Sequence, residues 1–154
     1  MVVPPREGWE LGVGLLLAAG ALFDELHRRL AEHGHADLRP AHGYAFQAMG
    51  STGATTSELA GRLHVTKQAA GQMAAELERR GYVRRGTDPA DARRRPLVLT
   101  TRGVDALSRS AAIFADLQRE WAARAGGSNV EEAAATLDAL VELYGQDGRL
   151  RPVW

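Results

Sequence analysis

A chain of 154 residues with 45% apolar and 25% charged side chains has the composition of an ordinary globular domain, which excludes a disordered or fibrous protein. It contains no cysteine, which excludes disulfides, thiolate nucleophiles and cysteine zinc sites and fits a reducing compartment. The 19 basic and 19 acidic residues balance, but ten of the basic and only five of the acidic residues fall within 55–102. A basic segment on an acidic remainder is typical of a surface that faces nucleic acid.

The N-terminal segment predicts an amphipathic helix from Trp9 to His33, because apolar residues recur there at steps of three and four. Its most apolar part, residues 11–23, is too short to cross a bilayer, which takes roughly 20 apolar residues. Arg6 alone does not make the basic region of a signal peptide. We therefore expect a cytoplasmic protein with no membrane attachment.

The middle of the chain predicts a helix-turn-helix. Residues 40–49 form a helix that begins at a proline, which a first helical turn tolerates. Thr55 and Glu58 make a capping-box pattern that starts a second, short helix. Thr66 is a typical N-cap for a third helix, which runs on to the C-terminal stop at Gly81. Two helices joined by a turn of about three or four residues form this DNA-binding unit.

A β-hairpin and two helices follow. Residues 82–85 and 97–100 are short strand-like runs separated by a polar segment, which predicts a hairpin with a long loop. Beyond Gly103 a stripe of apolar residues predicts a long helix. Ser128 and Glu131 predict the cap of a last helix.

The predicted fold is mainly α with a small β-hairpin wing. A winged helix-turn-helix DNA-binding domain at 37–102 lies between an N-terminal dimerisation helix at 1–36 and C-terminal dimerisation helices at 103–154. The outer helices carry long apolar stripes and have only a small domain to cover them, so a second copy of the chain is the natural partner.

Residues 55–103 resemble the core of the multiple antibiotic resistance regulator (MarR) family. The family pattern DPxDxR…LTxxG is matched at Asp88-Pro89, Asp91, Arg93 and 99–103. The resemblance implies a homodimeric transcriptional regulator that binds a palindromic operator in double-stranded DNA. It also implies a repressor that is released by a small-molecule effector, bound in a cleft between the dimer body and the winged helix.

The recognition helix of such a protein enters the major groove with its first turns. Thr66 and the helix N-terminus are suited to a phosphate, Lys67 to neutralising one, and Gln68 to pairing with adenine. Gly71 permits close approach to the duplex or merely packs against the preceding helix. Gln72 stands where many family members have arginine, so operator preferences of relatives do not carry over.

The wing is the second predicted DNA contact, because arginines at a hairpin tip suit the negative potential of a narrow minor groove. We expect Asp91 to orient Arg93 through a bidentate pair. A solvated arginine face is the simpler alternative. The predicted wing and strand contacts are Arg84, Asp91, Arg93, Arg94 and Arg95.

Four residues are predicted to line an effector site. The candidates are Trp9, His42, Phe46 and Trp121. Packing in a dimer body is the favoured interpretation of the tryptophans at 9, 121 and 154.

A metal site is not expected. His33, His35 and Asp37 are close in sequence, but they straddle a helix stop and no spacing among them fixes a tetrahedron. We interpret them as a surface loop and expect no cofactor.

Two other functions stay open. A winged-helix fold without DNA binding would serve as a protein-interaction module, since fold alone does not decide function. The exposed arginine run argues against that use. An enzyme is disfavoured because no nucleophile-elbow, phosphate-loop or metal motif brings reactive side chains together.

Overall fold

The structure is a computed structural model that describes residues 8–145. Within this range six helices and two strands follow one another. In chain order they are α1 (Gly8–Glu32), α2 (Pro40–Met49), α3 (Thr56–Leu63), α4 (Lys67–Arg79), β1 (Val83–Arg85), β2 (Leu97–Leu99), α5 (Thr101–Ala125) and α6 (Gly127–Tyr144). The predicted fold class, mainly α with a small β-hairpin wing, is confirmed.

Helices α3 and α4 begin at threonine caps that the local sequence specifies. Thr55 Oγ1 accepts the backbone N–H of Glu58 at 3.2 Å, and Glu58 Oε2 accepts the N–H of Thr55 at 2.8 Å. This is the predicted capping box. Thr66 Oγ1 accepts the N–H of Ala69 at 3.1 Å, so α4 also starts where the sequence predicts.

The starts of α5 and α6 differ from the expectation. Thr100 Oγ1 accepts the N–H of Gly103 at 3.2 Å, so α5 begins before Gly103 rather than beyond it. The predicted cap of the last helix is wrong, because Ser128 and Glu131 already lie inside α6. Gly126 is the N-cap and has a φ of 91°, a left-handed conformation that favours glycine and turns the chain directly from α5 into α6.

The two strands pair antiparallel and form the predicted hairpin, with Arg84 opposite Val98. Both are slightly shorter than the predicted runs. The polar segment between them, residues 86–96, is called the wing loop below. A further bridge joins Ala54 to Leu97, so the segment before α3 holds the base of the hairpin against the helices.

Every described element except α6 contributes to one apolar core. Gly103 lets α5 start against the hairpin, because a Cβ at this position would collide with the carbonyl group of Tyr82. The largest core side chains are Leu26, Leu30, Leu38, Phe46, Met49, Leu59, Leu63, Leu77, Tyr82, Leu97, Ile113 and Leu117.

The outer helices leave apolar side chains uncovered. The exposed set lies on the first half of α1, on α5 and along α6: Trp9, Leu11, Val13, Leu16, Leu17, Val104, Trp121, Leu137, Leu140, Val141, Leu143 and Tyr144. None of the helices described between residues 8 and 145 is long and apolar enough to cross a membrane.

Candidate nucleic-acid interface

The exposed start of α4 carries residues that the sequence predicts to contact base edges and phosphates. Thr66, the N-cap, has extended backbone angles (φ −66°, ψ 152°). Beyond it Lys67, Gln68 and Gln72 are exposed. The N–H groups of a first helical turn lack partners within the helix, and the helix dipole places partial positive charge at the same end. This end of α4 is therefore suited to a phosphate group.

Gly71 lies one turn further along α4, half-buried beside α3. A Cβ added at this position would meet only Thr56 Cγ2, at 3.9 Å, which is an ordinary van der Waals distance. The packing of α4 on α3 therefore does not require glycine. Close approach to a duplex stays the prediction for Gly71.

Two arginines of β1 lie at the surface. Arg84, one of the predicted contacts, is exposed. Arg85 is exposed too, and its Nη1 donates to Thr56 Oγ1 at 3.3 Å. The sequence analysis missed Arg85, although its place next to Arg84 at the end of a predicted strand was an available signal.

Two aspartates of the wing loop accept backbone N–H groups. Asp88 Oδ1 accepts from Ala90 and Asp91 Oδ1 accepts from Arg93, each at 2.9 Å. The expected side-chain pair between Asp91 and Arg93 is wrong, because the carboxylate of Asp91 bonds to the backbone of Arg93 instead. Such aspartate turns fix the backbone from which the arginine side chains project.

The three arginines of the wing differ in orientation. Arg93 and Arg95 are exposed, and neither guanidinium has a carboxylate partner among residues 8–145. Arg94 is turned inward. Its Nη2 lies 2.8 Å from Glu58 Oε2 and its Nη1 lies 2.9 Å from Asp88 Oδ2.

The inward arginine changes the electrostatics of its two partners. Arg94, together with the N–H of Thr55, lowers the pKa of Glu58 below its ordinary value. The N–H of Ala90, followed by Arg94, lowers the pKa of Asp88. Both carboxyl groups are therefore ionised at neutral pH, and the pKa of Arg94 is raised in turn.

The first turn of α3 brings α4 and the hairpin to one side of the domain. Thr56 faces Gly71 of α4 and accepts the hydrogen bond from Arg85 of β1. Glu58, in the same turn, binds Arg94 of the wing loop. The exposed start of α4 and the exposed arginines thus flank a shared element.

The winged segment matches a known family. Residues 36–94, which span α2, α3, α4, β1 and most of the wing loop, match the MarR family. We call residues 36–94 the MarR-family segment, after the family that they match. The resemblance stated from the wing pattern is confirmed for this segment.

Individual relatives cover different shares of the chain. The transcriptional regulator HosA of Escherichia coli O111:H- is 39% identical over 66 residues, which are 43% of this chain and 49% of HosA. The chain thus spans about half the length of this curated relative. The S. aureus MepR–DNA complex is 18% identical with a TM-score of 0.64, and the match covers 90% of this chain and 98% of MepR. MepR bound to ethidium bromide is 19% identical with a TM-score of 0.61, covering 85% and 94%. The two MepR structures show that the fold is shared.

A cavity of about 170 Å³ lies where α1, α2 and α5 meet at the edge of the MarR-family segment. His27, Arg39, Gln47 and Ser110 bring polar groups to it, and His27 Nδ1 donates to the carbonyl oxygen of Phe23 at 2.7 Å. The rest of the lining is mainly apolar: Phe23, Leu26, Leu30, Leu38, Pro40, Tyr44, Phe46, Leu107 and Phe114.

The four residues predicted to line an effector site do not come together. Phe46 lines the α1–α2–α5 cavity, whereas Trp9 lines a shallow depression on α1 and Trp121 lines a groove between α5 and α6. His42 is buried, and its Nε2 lies 3.6 Å from Glu76 Oε2. Burial lowers the pKa of His42, although the charge of Glu76 opposes this effect. Trp154 lies outside the described residues.

The two histidines of the α1–α2 loop differ in burial, because His33 is exposed and His35 is buried. No group of three or more potential ligands is clustered for a metal within residues 8–145. The interpretation of this loop as simple surface is wrong for His35, which is buried. His35 Nε2 lies 2.8 Å from Asp105 Oδ2, and its Nδ1 lies 3.1 Å from Tyr82 Oη.

Proposed function

We propose that this chain is a sequence-specific DNA-binding regulator of transcription that acts as a homodimer in the cytoplasm. The observation that carries the proposal is the α3 turn that contacts both α4 and the wing loop. This arrangement supports a continuous surface, in which the exposed start of α4 and the exposed arginines of the hairpin face the same ligand. The solved complex of the similarly folded MepR with DNA supports a duplex as that ligand.

Within this proposal α4 is the recognition helix. Thr66 and the first-turn N–H groups bind a phosphate, Lys67 neutralises a second, and Gln68 and Gln72 reach base edges in the major groove. Gly71 admits the duplex close to the helix.

The hairpin supplies the flanking contacts. The exposed guanidinium groups of Arg84, Arg93 and Arg95 bind phosphates or enter the minor groove. Asp91 shapes the turn that presents Arg93. The inward side chain of Arg94 has a different role, which is argued in the next subsection.

A second copy of the chain covers the exposed apolar faces of α1 and α6. A groove of about 460 Å³ between α5 and α6 is lined by Leu22, Trp121, Val130 and Leu137 and is suited to apolar side chains from a partner. Segments 1–36 and 103–154 are accordingly the dimerisation segments, with 37–102 as the DNA-binding domain. Sedimentation should show a dimer at micromolar concentration, and a folded monomer would contradict this assignment.

The α1–α2–α5 cavity is the proposed effector site. The cavity lies where the outer helices meet the MarR-family segment. A ligand there would therefore change how the outer helices and this segment are held relative to one another. Its apolar walls and few polar groups are typical of a small-molecule site. MepR, of the same fold, has been solved with ethidium bromide. We propose that Phe46 contacts the effector and that the chain is a repressor released by it.

Selection of binding sequences from a random duplex pool tests the function directly. We expect a palindromic site, an affinity that falls steeply with salt, and weaker binding to unselected duplex. Absence of any salt-dependent binding to duplex would instead favour the protein-interaction module. Measuring DNA release by candidate small molecules then tests the repressor mechanism separately.

A further inference from the structure

The three wing arginines differ in their partners, and an unstructured basic loop would not show such a difference. Arg93 and Arg95 have no carboxylate partner in the described part of the chain, whereas Arg94 has two. The side chain of Arg94 is only 26% exposed. A residue that is predicted to touch DNA is thus directed into the protein.

The hydrogen-bonding groups of Arg94 are used within the protein. Nη2 donates to both carboxylate oxygens of Glu58, at 2.8 and 3.0 Å, and Nη1 donates to Asp88 Oδ2 at 2.9 Å. Nε lies 3.3 Å from Glu58 Oε1. One cation facing two carboxylates leaves the cluster with a formal charge of −1. Such a cluster does not attract a phosphate.

The partner of Arg94 is itself fixed. Glu58 Oε2 also accepts the N–H of Thr55 in the capping box, so the carboxylate is held at the first turn of α3. Asp88 lies near the other end of the wing loop, where it accepts the N–H of Ala90. Arg94 therefore ties both halves of the wing loop to a rigid helix.

We propose that Arg94 is a positioning residue, anchored by Glu58, that holds the wing loop in the orientation in which Arg93 and Arg95 reach DNA. This proposal rests on the proposed DNA-binding function and replaces the sequence-based assignment of Arg94 as a DNA contact. The capping glutamate of α3 then has two roles, because it starts the helix and receives the wing.

The test compares Glu58→Gln, Arg94→Gln and the double variant for operator binding across a salt series. Glutamine keeps the capping hydrogen bond at position 58 and removes the charge that holds Arg94. We expect each single variant to weaken binding by about threefold to thirtyfold with an unchanged salt slope, and the double variant to bind no worse than the singles. Arg94→Lys should recover part of the loss, because an ammonium keeps the charge without the forked geometry.

A direct phosphate contact by Arg94 gives a different pattern. In that case Arg94→Gln reduces the salt slope by about one unit, and Glu58→Gln leaves binding equal or stronger because it removes a negative charge near DNA. Either result would overturn the proposal. Arg95→Ala is the matched control, since this exposed neighbour should lower the slope.

Hydrogen exchange of the free protein separates this proposal from the function on which it rests. Amide groups of residues 87–95 should exchange faster in Glu58→Gln than in the wild type. Amide groups of α2 should exchange at the same rate in both proteins. Equal exchange would show that Glu58 does not anchor the wing. If the wild type binds no duplex at all, the proposed function fails, and the exchange result still decides whether the anchor exists.

Discussion

His35 Nε2 lies 2.8 Å from Asp105 Oδ2, although the two residues are 70 positions apart. The contact joins the loop between α1 and α2 to the first turns of α5. Tyr82, at the entrance to the hairpin, contacts the other ring nitrogen of His35, and Arg102 stacks 4.5 Å from the centre of the Tyr82 ring. This polar cluster fixes the winged helix against the outer helices.

The first prediction concerns the buried member of this cluster. His35→Ala should lower the free energy of unfolding by about 1–3 kcal/mol, because it removes two hydrogen-bonding partners from a buried position. His33→Ala is the control, since His33 is exposed two residues earlier and should change stability by no more than about 0.5 kcal/mol. Urea denaturation measures both, and equal losses would contradict the role of His35.

The second prediction is a pH dependence from Asp37. Partial burial disfavours its charge, but the Tyr82 hydroxyl, which donates at 2.6 Å, and the charge of Arg102 hold the pKa of Asp37 below its ordinary value. Ionised Asp37 therefore stabilises the fold above the unfolded-state pKa of about 3.9, and this contribution disappears as pH falls through the folded-state pKa.

Comparison with Asp37→Asn isolates this contribution. The difference in unfolding free energy between wild type and variant should be largest above about pH 4 and should shrink below it. Tyr82→Phe keeps the ring but removes the donor, so it should reduce the same pH-dependent difference. A difference that stays constant from pH 3 to pH 7 would rule out the assignment.

Local sequence predicted the caps of α3 and α4 because each threonine and its partner N–H lie within one turn. The same kind of pattern failed at Ser128, since the left-handed Gly126 had already started the helix. The burial of His35 and the inward turn of Arg94 onto α3 were not predictable, because Asp105 lies 70 residues from His35 and Glu58 lies 36 residues from Arg94 along the chain. The position of the predicted contact residues in the first turns of α4 follows from the cap at Thr66, which the local sequence indicates.

The third prediction separates folding from DNA binding at Gly71. Gly71→Ala should raise stability by about 0.5–1 kcal/mol, because alanine favours the helix and nothing in the structure blocks its Cβ. Affinity for the operator should nevertheless fall if the duplex approaches this position closely. Gly61→Ala on α3 is the control, with open space at its Cβ and no expected effect on affinity. Unchanged operator affinity of Gly71→Ala would show that the duplex stays clear of this residue.

The fourth prediction concerns the exposed wing. Arg93→Ala should leave the fold and the dimer unchanged, because the guanidinium group has no partner in the described structure. Each phosphate contact that is lost should reduce the magnitude of the salt slope by about one unit. Fluorescence anisotropy with labelled operator over a salt series measures the slope. The same slope in variant and wild type would exclude a phosphate contact by Arg93.

The last prediction assigns different roles to two neighbours on α4. The amide of Gln68 offers a donor and an acceptor together, the pattern that matches adenine in the major groove. Lys67 is the only lysine in the chain, and its ammonium is a flexible point charge better suited to phosphate. Because Thr66 is the N-cap, Lys67 and Gln68 occupy the first two positions of the helix, and both side chains are exposed.

Alanine substitution at each position distinguishes these roles. Gln68→Ala should cost about 1–3 kcal/mol of binding free energy on the selected operator and little on random duplex. Lys67→Ala should weaken binding to both duplexes by similar factors, because a phosphate contact carries no sequence information. Competition binding with the two duplexes measures the ratio. If Gln68→Ala lowers specific and non-specific affinity equally, Gln68 does not read a base. Since a helix advances by about 100° per residue, Gln72 would then be the next candidate on that face.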